Sequence, residues 1–209
     1  MVQALRCKSV RFLASALVMA LTLGGCYFPI LFDIEIELDR SGYYSIIFDG
    51  YLAKVELYDA IRLNKITPAE EKERVAAVKT DLTRDSALKD FKYFKQGRFK
   101  VHWEKNGDLL RSKMVTFLRR NEKMLSLKYV KSNGLITMEG AAVPKSAYQQ
   151  LADMGLNMQG QIRIITKARI VDHNATQVKG KIKGRGEKTL TWKIKSITDA
   201  TPRAVLSLR

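Results

Sequence analysis

The sequence predicts an α+β fold, a single domain with a mostly antiparallel β-sheet and two principal helices. In several short segments apolar residues alternate with polar ones, which is typical of strands that bury one face. Two further segments have the apolar spacing and end signals of amphipathic helices. The chain contains no internal repeat, low-complexity stretch or linker, so one domain accounts for its length.

The first 25 residues have the parts of a secretory signal. A basic start precedes an apolar core over residues 12–23, and the segment Leu-Gly-Gly-Cys ending at Cys26 resembles a bacterial lipobox. The apolar run is shorter than the ~20 residues of a membrane-spanning helix, which disfavours a plain transmembrane anchor. We predict a lipoprotein signal peptide over residues 1–25, cleavage between Gly25 and Cys26, and lipidation of Cys26. The alternative is a secreted protein with an incidental cysteine after the cut.

Lipidation would decide where the protein resides. By resemblance to bacterial lipoproteins, Cys26 would carry diacylglycerol and often an amide-linked chain such as palmitate, and two or more chains anchor stably. We therefore expect an envelope protein held outside the cytoplasm. Because Tyr27 rather than an aspartate follows the cysteine, the outer membrane, facing the periplasm, is favoured in a Gram-negative cell. Residues 26–31 then form a lipidated tether and residues 32–209 the folded domain.

The strands are predicted from period-two patterns. The clearest is Phe32–Asp39, followed by a turn at residues 40–42 and a β-rich run over residues 43–52, which together predict a hairpin. Asn106-Gly107 predicts a further turn. The other predicted strands cover residues 99–104, 114–118, 124–130, 135–138, 162–170, 190–194 and 204–208.

Two helices are predicted from their start signals. At Thr67-Pro68-Ala69-Glu70 the threonine can cap, the proline suits the first helical position and the glutamate completes a capping box, so a helix should extend to about Leu82. The second helix spans residues 144–154. The expected buried positions of the two helices are Val75, Val78, Leu82, Ala147, Leu151 and Met154.

The charge of the chain limits its partners. The formal net charge is +16, of which the predicted leader holds three, leaving +13 on the exported part. Such a basic chain is ordinarily considered first as a nucleic-acid binder, but export argues against that partner. The anionic groups outside the cytoplasm are lipid headgroups, wall polymers and acidic proteins. The alternative is that the charge serves only solubility.

Residues suited to catalysis or metal binding are few. The chain has two cysteines, Cys7 in the leader and Cys26, and its histidines, His102 and His173, lack metal-ligand spacing. Asp172 neighbours His173, but adjacent strand residues point to opposite faces and no nucleophile elbow is present. We therefore predict no enzymatic activity, no catalytic residue, no metal and no cofactor.

A basic sheet face is the first candidate site. Cations alternate with apolar residues on the predicted strand 162–170 and at the end of strand 190–194, and more lie in the glycine-rich loop 179–188. If the strands pair, one solvated face could bind an anionic ligand. The alternative is a solvated hairpin tip whose charge prevents edge aggregation. The candidate residues are Arg163, Lys167, Arg169, Lys181, Lys183, Arg185, Lys193 and Lys195.

An apolar cavity is the second candidate site. Methionine adapts to irregular apolar ligands, and methionines recur in the middle of the chain. Ordinary core filling is the alternative. The residues are Met114, Met124, Met138, Met154 and Met158.

The C-terminal region resembles the LppM-like domain of bacterial lipoproteins. The resemblance rests on Asn174-Ala175-Thr176, a basic loop, and a late strand, Thr189–Ile194, that carries Trp192. It implies an α+β domain that serves as a ligand-binding or envelope-interaction module, with no catalytic residues to transfer. Asn174 is then a turn residue and Trp192 a core anchor.

These observations predict a membrane-anchored envelope lipoprotein that binds lipid or another anionic or amphiphilic envelope component. The alternative is a protein-protein interaction or assembly module of the envelope, which would need an exposed apolar patch bordered by cations.

Overall fold

A computed structural model describes residues 27–118, 123–181 and 186–208 of the chain. These residues form twelve strands in two sheets and four short helices, and about half of the structure is strand. The protein is therefore mainly β, and the prediction of an α+β fold with one sheet and two principal helices is wrong. The period-two segments are divided between two stacked sheets, which the alternation itself does not reveal.

The elements follow one another in this order: β1 (Tyr27–Leu38), β2 (Tyr43–Lys54), α1 (Val55–Arg62), α2 (Pro68–Leu82), β3 (Leu88–Tyr93), β4 (Arg98–Asp108), α3 (Leu109–Ser112), β5 (Met114–Leu118), β6 (Lys123–Val130), β7 (Leu135–Gly140), α4 (Lys145–Asp153), β8 (Gln159–Thr166), β9 (Arg169–His173), β10 (Gln177–Lys179), β11 (Lys188–Ile194) and β12 (Arg203–Ser207).

The two sheets differ in size. The larger has seven strands in the order β10-β11-β8-β1-β2-β4-β3, and the smaller has five in the order β5-β6-β7-β12-β9. All neighbouring strands are antiparallel except β1 and β8, which are parallel. The expectation of mostly antiparallel pairing is thus confirmed for each sheet.

The β1–β2 hairpin is confirmed, but β1 is longer than expected. In the turn, the Asp39 carboxylate accepts hydrogen bonds from the backbone N–H groups of Ser41 and Tyr43. β1 begins at Tyr27, and both Tyr27 and Phe28 are buried. The uncharged segment 27–31, expected as a tether, pairs with the end of β2 instead.

The predicted helices are present but short. Thr67 and Glu70 form the expected capping box at the start of α2. Val78 and Leu82 of α2 are buried, as is Ala147 of α4. Among the described residues, no helix is long and apolar enough to cross a membrane.

The predicted single strand over residues 162–170 is wrong, because the chain leaves one sheet for the other there. β8 belongs to the larger sheet and β9 to the smaller. The Thr166 hydroxyl donates to the carbonyl of Leu38 and accepts from the N–H of Ala168, which fixes the bend. Lys188 is buried and donates from Nζ to the Ala168 carbonyl, 3.3 Å away. Ala168 is itself buried, so the apolar alternation in the sequence continues across the bend and resembles that of a single strand.

The smaller sheet covers only part of the larger one. β1 and β2 have twelve residues each, whereas β12 has five. Phe117, near the end of β5, stacks on Phe48 in the middle of β2, with ring centroids 4.3 Å apart. Ile34 of β1, whose partner on β2 is Phe48, lies at the boundary between two halves of the larger sheet. We call the half that contains Tyr27, up to and including this pair, the proximal half, and the half that contains Leu38 the distal half. The smaller sheet covers the distal half, and α4 with the segment 140–144 covers the proximal half.

Candidate functional site

A cavity of about 260 Å³ lies under the proximal half of the larger sheet. Its walls are apolar side chains of both sheets, of α4 and of the connecting segments. From the larger sheet come Tyr27, Phe28, Pro29, Phe32, Ile34, Phe48, Ile162 and Ile194. From the remaining elements come Val55, Phe117, Met124, residues 140–144, Ala147, Leu151, Met158 and Pro202.

The cavity follows from strand length and small side chains. Among the described residues, β5 ends at Leu118, one residue after Phe117, which stacks on Phe48 in the middle of β2. The proximal half of the larger sheet is covered by the segment Gly-Ala-Ala-Val-Pro (residues 140–144) and by the face of α4 that carries Ala147. The side chains of these residues are small. Protein interiors are close-packed and leave few voids larger than a water molecule. A void of this size is therefore a distinct feature of the fold.

The size and opening of the cavity restrict its ligand. A dry apolar cavity of roughly 150 Å³ accepts benzene, whereas sites for drug-sized ligands start at about 300 Å³. The volume here lies between these values, so it suits one slender apolar group. Ala141, Ala142 and Pro144 line the cavity and are exposed, so it opens to the surface beside them.

A small polar recess adjoins the cavity. It measures about 30 Å³ and shares Met158 and Ile194 with the cavity wall. Ser196 and Asp199 supply polar groups to its lining. The Asp199 carboxylate is held by the backbone N–H groups of Lys195 and Ser196, at 2.7 and 3.1 Å. The apolar cavity thus has polar groups next to it, as ligand sites commonly do.

Three cations follow or precede lining residues in the chain. Lys54 precedes Val55, Lys145 follows Pro144, and Lys195 follows Ile194. The ammonium of Lys54 lies 4.7 Å from the centroid of the Tyr27 ring. Of these three lysines, only Lys195 was among the candidate residues predicted from the sequence. The three lysines belong to segments that are distant in the chain, and no local sequence pattern shows that such segments meet.

The structure places Arg163 of the predicted basic face among carboxylates. β8 pairs with β11 as expected, and Arg163 lies on the outer face of the larger sheet. Its guanidinium contacts Asp33 at 3.1 Å and Glu35 at 2.9 Å. Burial alone would lower the pKa of Arg163, but hydrogen bonds and charges of Glu35 and Asp33 raise it overall. Arg163 therefore acts as a counterion in the sheet.

The remaining predicted cations are distributed over both sheets. Arg169 lies on β9 in the smaller sheet, and Lys167 lies in the connection from β8. Lys193 is on the outer face of the larger sheet, opposite Gln161, and Lys195 follows β11. Lys181 follows β10 and is exposed. Lys183 and Arg185 lie outside the described residues, as do Gly25 and Cys26.

His102, on the outer face of the larger sheet, has two acidic neighbours that sequence reasoning did not identify. Its Nδ1 lies 2.7 Å from Asp49 and its Nε2 2.7 Å from Glu104. The hydrogen bond with Asp49, and then that with Glu104, raises the pKa of His102 above its ordinary value. Glu104 lies two positions after His102 on β4, so it shares the same face of that strand. Asp49 lies on β2, and only the strand register reveals it as a neighbour of His102.

The residues considered for catalysis and metal binding have structural partners. Asp172 pairs with Arg203, whose hydrogen bond lowers the pKa of that carboxyl group. His173 accepts a hydrogen bond from the N–H of Ala175 at its Nδ1. Within residues 27–118, 123–181 and 186–208, no group of three His, Cys, Asp or Glu side chains is placed to hold a metal ion.

The methionines divide between cavity and core. Met124 and Met158 line the cavity, as the cavity hypothesis requires. Met138 and Met154 are buried in the core clusters, which is the core-filling alternative, and Met114 is half-buried on β5.

Asn174 and Trp192 contact each other directly. The indole N–H of Trp192 donates to Asn174 Oδ1 at 2.8 Å, and the same oxygen accepts from the N–H of Arg203. Asn174 Nδ2 donates to the Thr201 carbonyl. Trp192 is 2% exposed, so its interpretation as a core anchor is confirmed. The Asn174 side chain joins the larger sheet to the start of β12.

No family model matches the chain, and no curated protein matches it. Among solved structures, the fold is similar to the NMR structure of the folded domain of LppM from Mycobacterium tuberculosis. The match has a TM-score of 0.45 and 10% sequence identity, and it covers 85% of this chain and 88% of the other. This distant match is to a protein of the family that the C-terminal pattern resembles, and no family model supports the assignment.

Proposed function

We propose that this protein is a lipid-anchored envelope protein whose cavity binds one acyl chain of an anionic amphiphile. The observation that carries the proposal is the apolar cavity of about 260 Å³, which opens to the surface beside residues 140–144. Its volume suits a single chain rather than a whole lipid. The function is one of binding, with no chemical step.

The apolar walls are sufficient for measurable affinity. Burying a methylene group contributes about 0.8 kcal/mol, so about eight methylenes would contribute roughly 6 kcal/mol. That free energy corresponds to a dissociation constant of roughly tens of micromolar. The cost of immobilising the chain opposes this gain, so contacts with the headgroup decide the final affinity.

The headgroup side of the proposal rests on the cations next to the cavity wall. Lys54, Lys145 and Lys195 adjoin lining residues in the chain. A phosphate or carboxylate at the opening would be attracted by them, at about 1 kcal/mol for each basic residue near such a charge. These three residues therefore replace the basic face of the sequence analysis as our candidates for headgroup contacts.

The anchor in this proposal is lipidated Cys26, one residue before the buried start of β1 at Tyr27. Tyr27 and Phe28, the two residues that follow it in the chain, line the cavity. The proposed location is the outer surface of a bacterial membrane, and in a Gram-negative cell the periplasmic face of the outer membrane. Changing Cys26 to serine should release the protein from the membrane fraction and remove the lipid mass.

A matched pair of variants tests acyl-chain binding. Ala147 lines the cavity, whereas Ala152 lies on the exposed side of the same helix. Ala147→Trp should fill the cavity and weaken binding of a fluorescent fatty acid at least tenfold, while Ala152→Trp should leave it unchanged. Circular dichroism should show both variants folded. Equal binding by Ala147→Trp and the parent, or no binding by the parent, would refute the proposal.

The alternative interaction module is the weaker candidate. Exposed large apolar side chains in the described ranges are spread over several elements, and Tyr43 and Val171 lie on strands of different sheets. Leu31 and Phe94 both lie next to Tyr51 and beside lysines on the outer face of the larger sheet, so a protein partner would have to use that surface.

A further inference from the structure

A small apolar patch lies on the outer face of the larger sheet at its proximal end. Leu31 is 52% exposed and is the register partner of Tyr51. The ring of Tyr51 packs edge-on against Phe94, which is 41% exposed, with centroids 5.3 Å apart. Three apolar side chains from β1, β2 and the β3–β4 turn are thus contiguous on one surface.

Three lysines lie on the β3–β4 side of this patch. Lys100 is the register partner of Tyr51, and Lys92 is the register partner of Lys100. The ammonium of Lys92 lies 5.3 Å from the centroid of the Phe94 ring. Lys95 follows Phe94 in the turn and is exposed. We call Leu31, Tyr51, Phe94, Lys92, Lys95 and Lys100 the proximal patch.

The charge of the outer face changes sign along the strands. The next outward-facing residues beyond Leu31 and Tyr51 are Asp33 and Asp49, and Glu35 and Glu37 follow on β1. Lysines therefore lie at the proximal end and carboxylates lie farther from it. Arg163 pairs with Asp33 and Glu35, and His102 pairs with Asp49, so the charges farther along the face are partly compensated. An anionic surface would therefore attract the proximal lysines more strongly than the rest of the face, which orients the domain.

The patch also lies where the chain continues toward residue 26. Leu31 is five residues after Cys26, on the strand that begins at Tyr27. Aromatic side chains flanked by lysines are typical of the water-membrane interface, where the ring enters the headgroup layer and the ammonium contacts phosphate. A bilayer that holds the lipid on Cys26 would meet this end of the sheet first.

We propose that the proximal patch docks onto the surface of an anionic phospholipid bilayer and holds the domain with its proximal end toward the membrane. The orientation rests on the anchor of the proposed function, whereas the patch itself does not depend on what the cavity binds. Leu31 and Phe94 would enter the headgroup region, and the three lysines would contact lipid phosphates.

The test uses the full lipidated protein in vesicles of phosphatidylethanolamine and phosphatidylglycerol. With Cys7 removed by processing and Cys26 acylated, one introduced cysteine is the only thiol available for an environment-sensitive fluorophore. The label is placed by Phe94→Cys in one variant and by Tyr43→Cys in a matched control. Tyr43 is 60% exposed and lies at the opposite end of β2.

Lipids with a spin label near the headgroup should quench the fluorophore at position 94 at least twofold and leave that at position 43 unchanged. Combining Lys92→Glu with Lys100→Glu should remove the quenching at position 94. Equal quenching at both positions, or none at either, would overturn the docking proposal. A third outcome would also overturn the docking proposal: the fluorophore at position 94 is shielded from quenching by aqueous iodide but is not quenched by the spin-labelled lipid. In that case a protein rather than the bilayer would cover the patch.

The failure of the proposed function has a different signature. If Cys26 is not acylated, the mass of the labelled protein will show a second fluorophore and no lipid. Docking would then be measured by sedimentation with the same vesicles, in which Phe94→Ser should reduce the bound fraction at least twofold and Tyr43→Ser should not. Equal sedimentation of the two variants would refute docking without reference to the anchor.

Discussion

The two halves of the larger sheet have the same alternating pattern but different partners. In the distal half, inward-facing side chains such as Ile36 and Ile46 are fully buried against the smaller sheet. In the proximal half, Ile34 and Ile162 face a cavity that is covered by α4 and the segment 140–144. The difference shows that alternation determines which residues face inward, whereas the length of the facing strands determines whether the interior is filled.

The largest expected effect distinguishes the two halves at neighbouring positions of β1. Ile36 is 0% exposed and lies outside the cavity wall, whereas Ile34 is 5% exposed and lines the cavity. Ile36→Ala should lower the free energy of unfolding by about 4 kcal/mol, and Ile34→Ala by about 2 kcal/mol. Ile34 loses fewer packing partners because one side of it already faces empty space. Urea unfolding measures both values, and equal losses would show that the proximal half is as well packed as the distal half.

The second prediction concerns the junction between the sheets at Asn174. Asn174→Ala should cost about 2–3 kcal/mol, because it leaves the buried indole N–H of Trp192 and the N–H of Arg203 without their acceptor. Asn174→Asp keeps that acceptor, but its second carboxylate oxygen faces the Thr201 carbonyl instead of donating to it. The charge strengthens the two accepted bonds and offsets part of this repulsion, so the variant should cost less than the alanine. Thermal unfolding of both variants makes the comparison. A larger loss for the aspartate variant would mean that the donated bond dominates.

The third prediction compares the outer face with these interior sites. Arg163→Gln should cost about 0.5–1 kcal/mol, because partly exposed ion pairs contribute little and are screened. Arg163 is 28% exposed and contacts Asp33 and Glu35. The cost should shrink in 1 M salt, and Lys193→Gln should be neutral at either salt concentration. A loss that does not change with salt would indicate packing by the arginine stem.

The smallest effect is the pH dependence of His102. The pKa of this histidine is raised above 6.5, with Asp49 as the first cause and Glu104 as the second. The protonated ring therefore stabilises the folded state fully below about pH 6.5, and this contribution is lost as the pH rises through the raised pKa. Urea midpoints across this window should fall with pH in the parent and change less in His102→Gln. An equally steep fall in the variant would assign the dependence to other groups.

Sequence reasoning identified local structure better than assembly. The α2 capping box and the β1–β2 hairpin depend on adjacent residues, and both were predictable. Asn106-Gly107 was predicted as a turn but lies inside β4, where Gly107 passes close to the Tyr44 ring. A tertiary contact thus overrode a local turn preference, and no local pattern could show it.

The candidate site was predictable in kind but not in composition. Met124 and Met158 were expected to line a cavity and do so. The remaining walls come from strand ends and from the small residues 140–144, which converge only because β5 ends near the middle of β2. The basic face was deduced from two strands alone, and Asp33 and Glu35 of a third strand turned out to neutralise Arg163.

The proposal that the cavity of the proximal half binds an acyl chain is tested most directly by methyl NMR with a spin-labelled fatty acid. The isoleucine methyl signals of Ile34, Ile162 and Ile194 in the cavity wall should broaden on addition of the probe. Those of Ile36 and Ile46 in the distal half, and of Ile136 in the smaller sheet, are buried away from the cavity and should broaden much less. Equal broadening in both halves, or none in the cavity wall, would contradict the account.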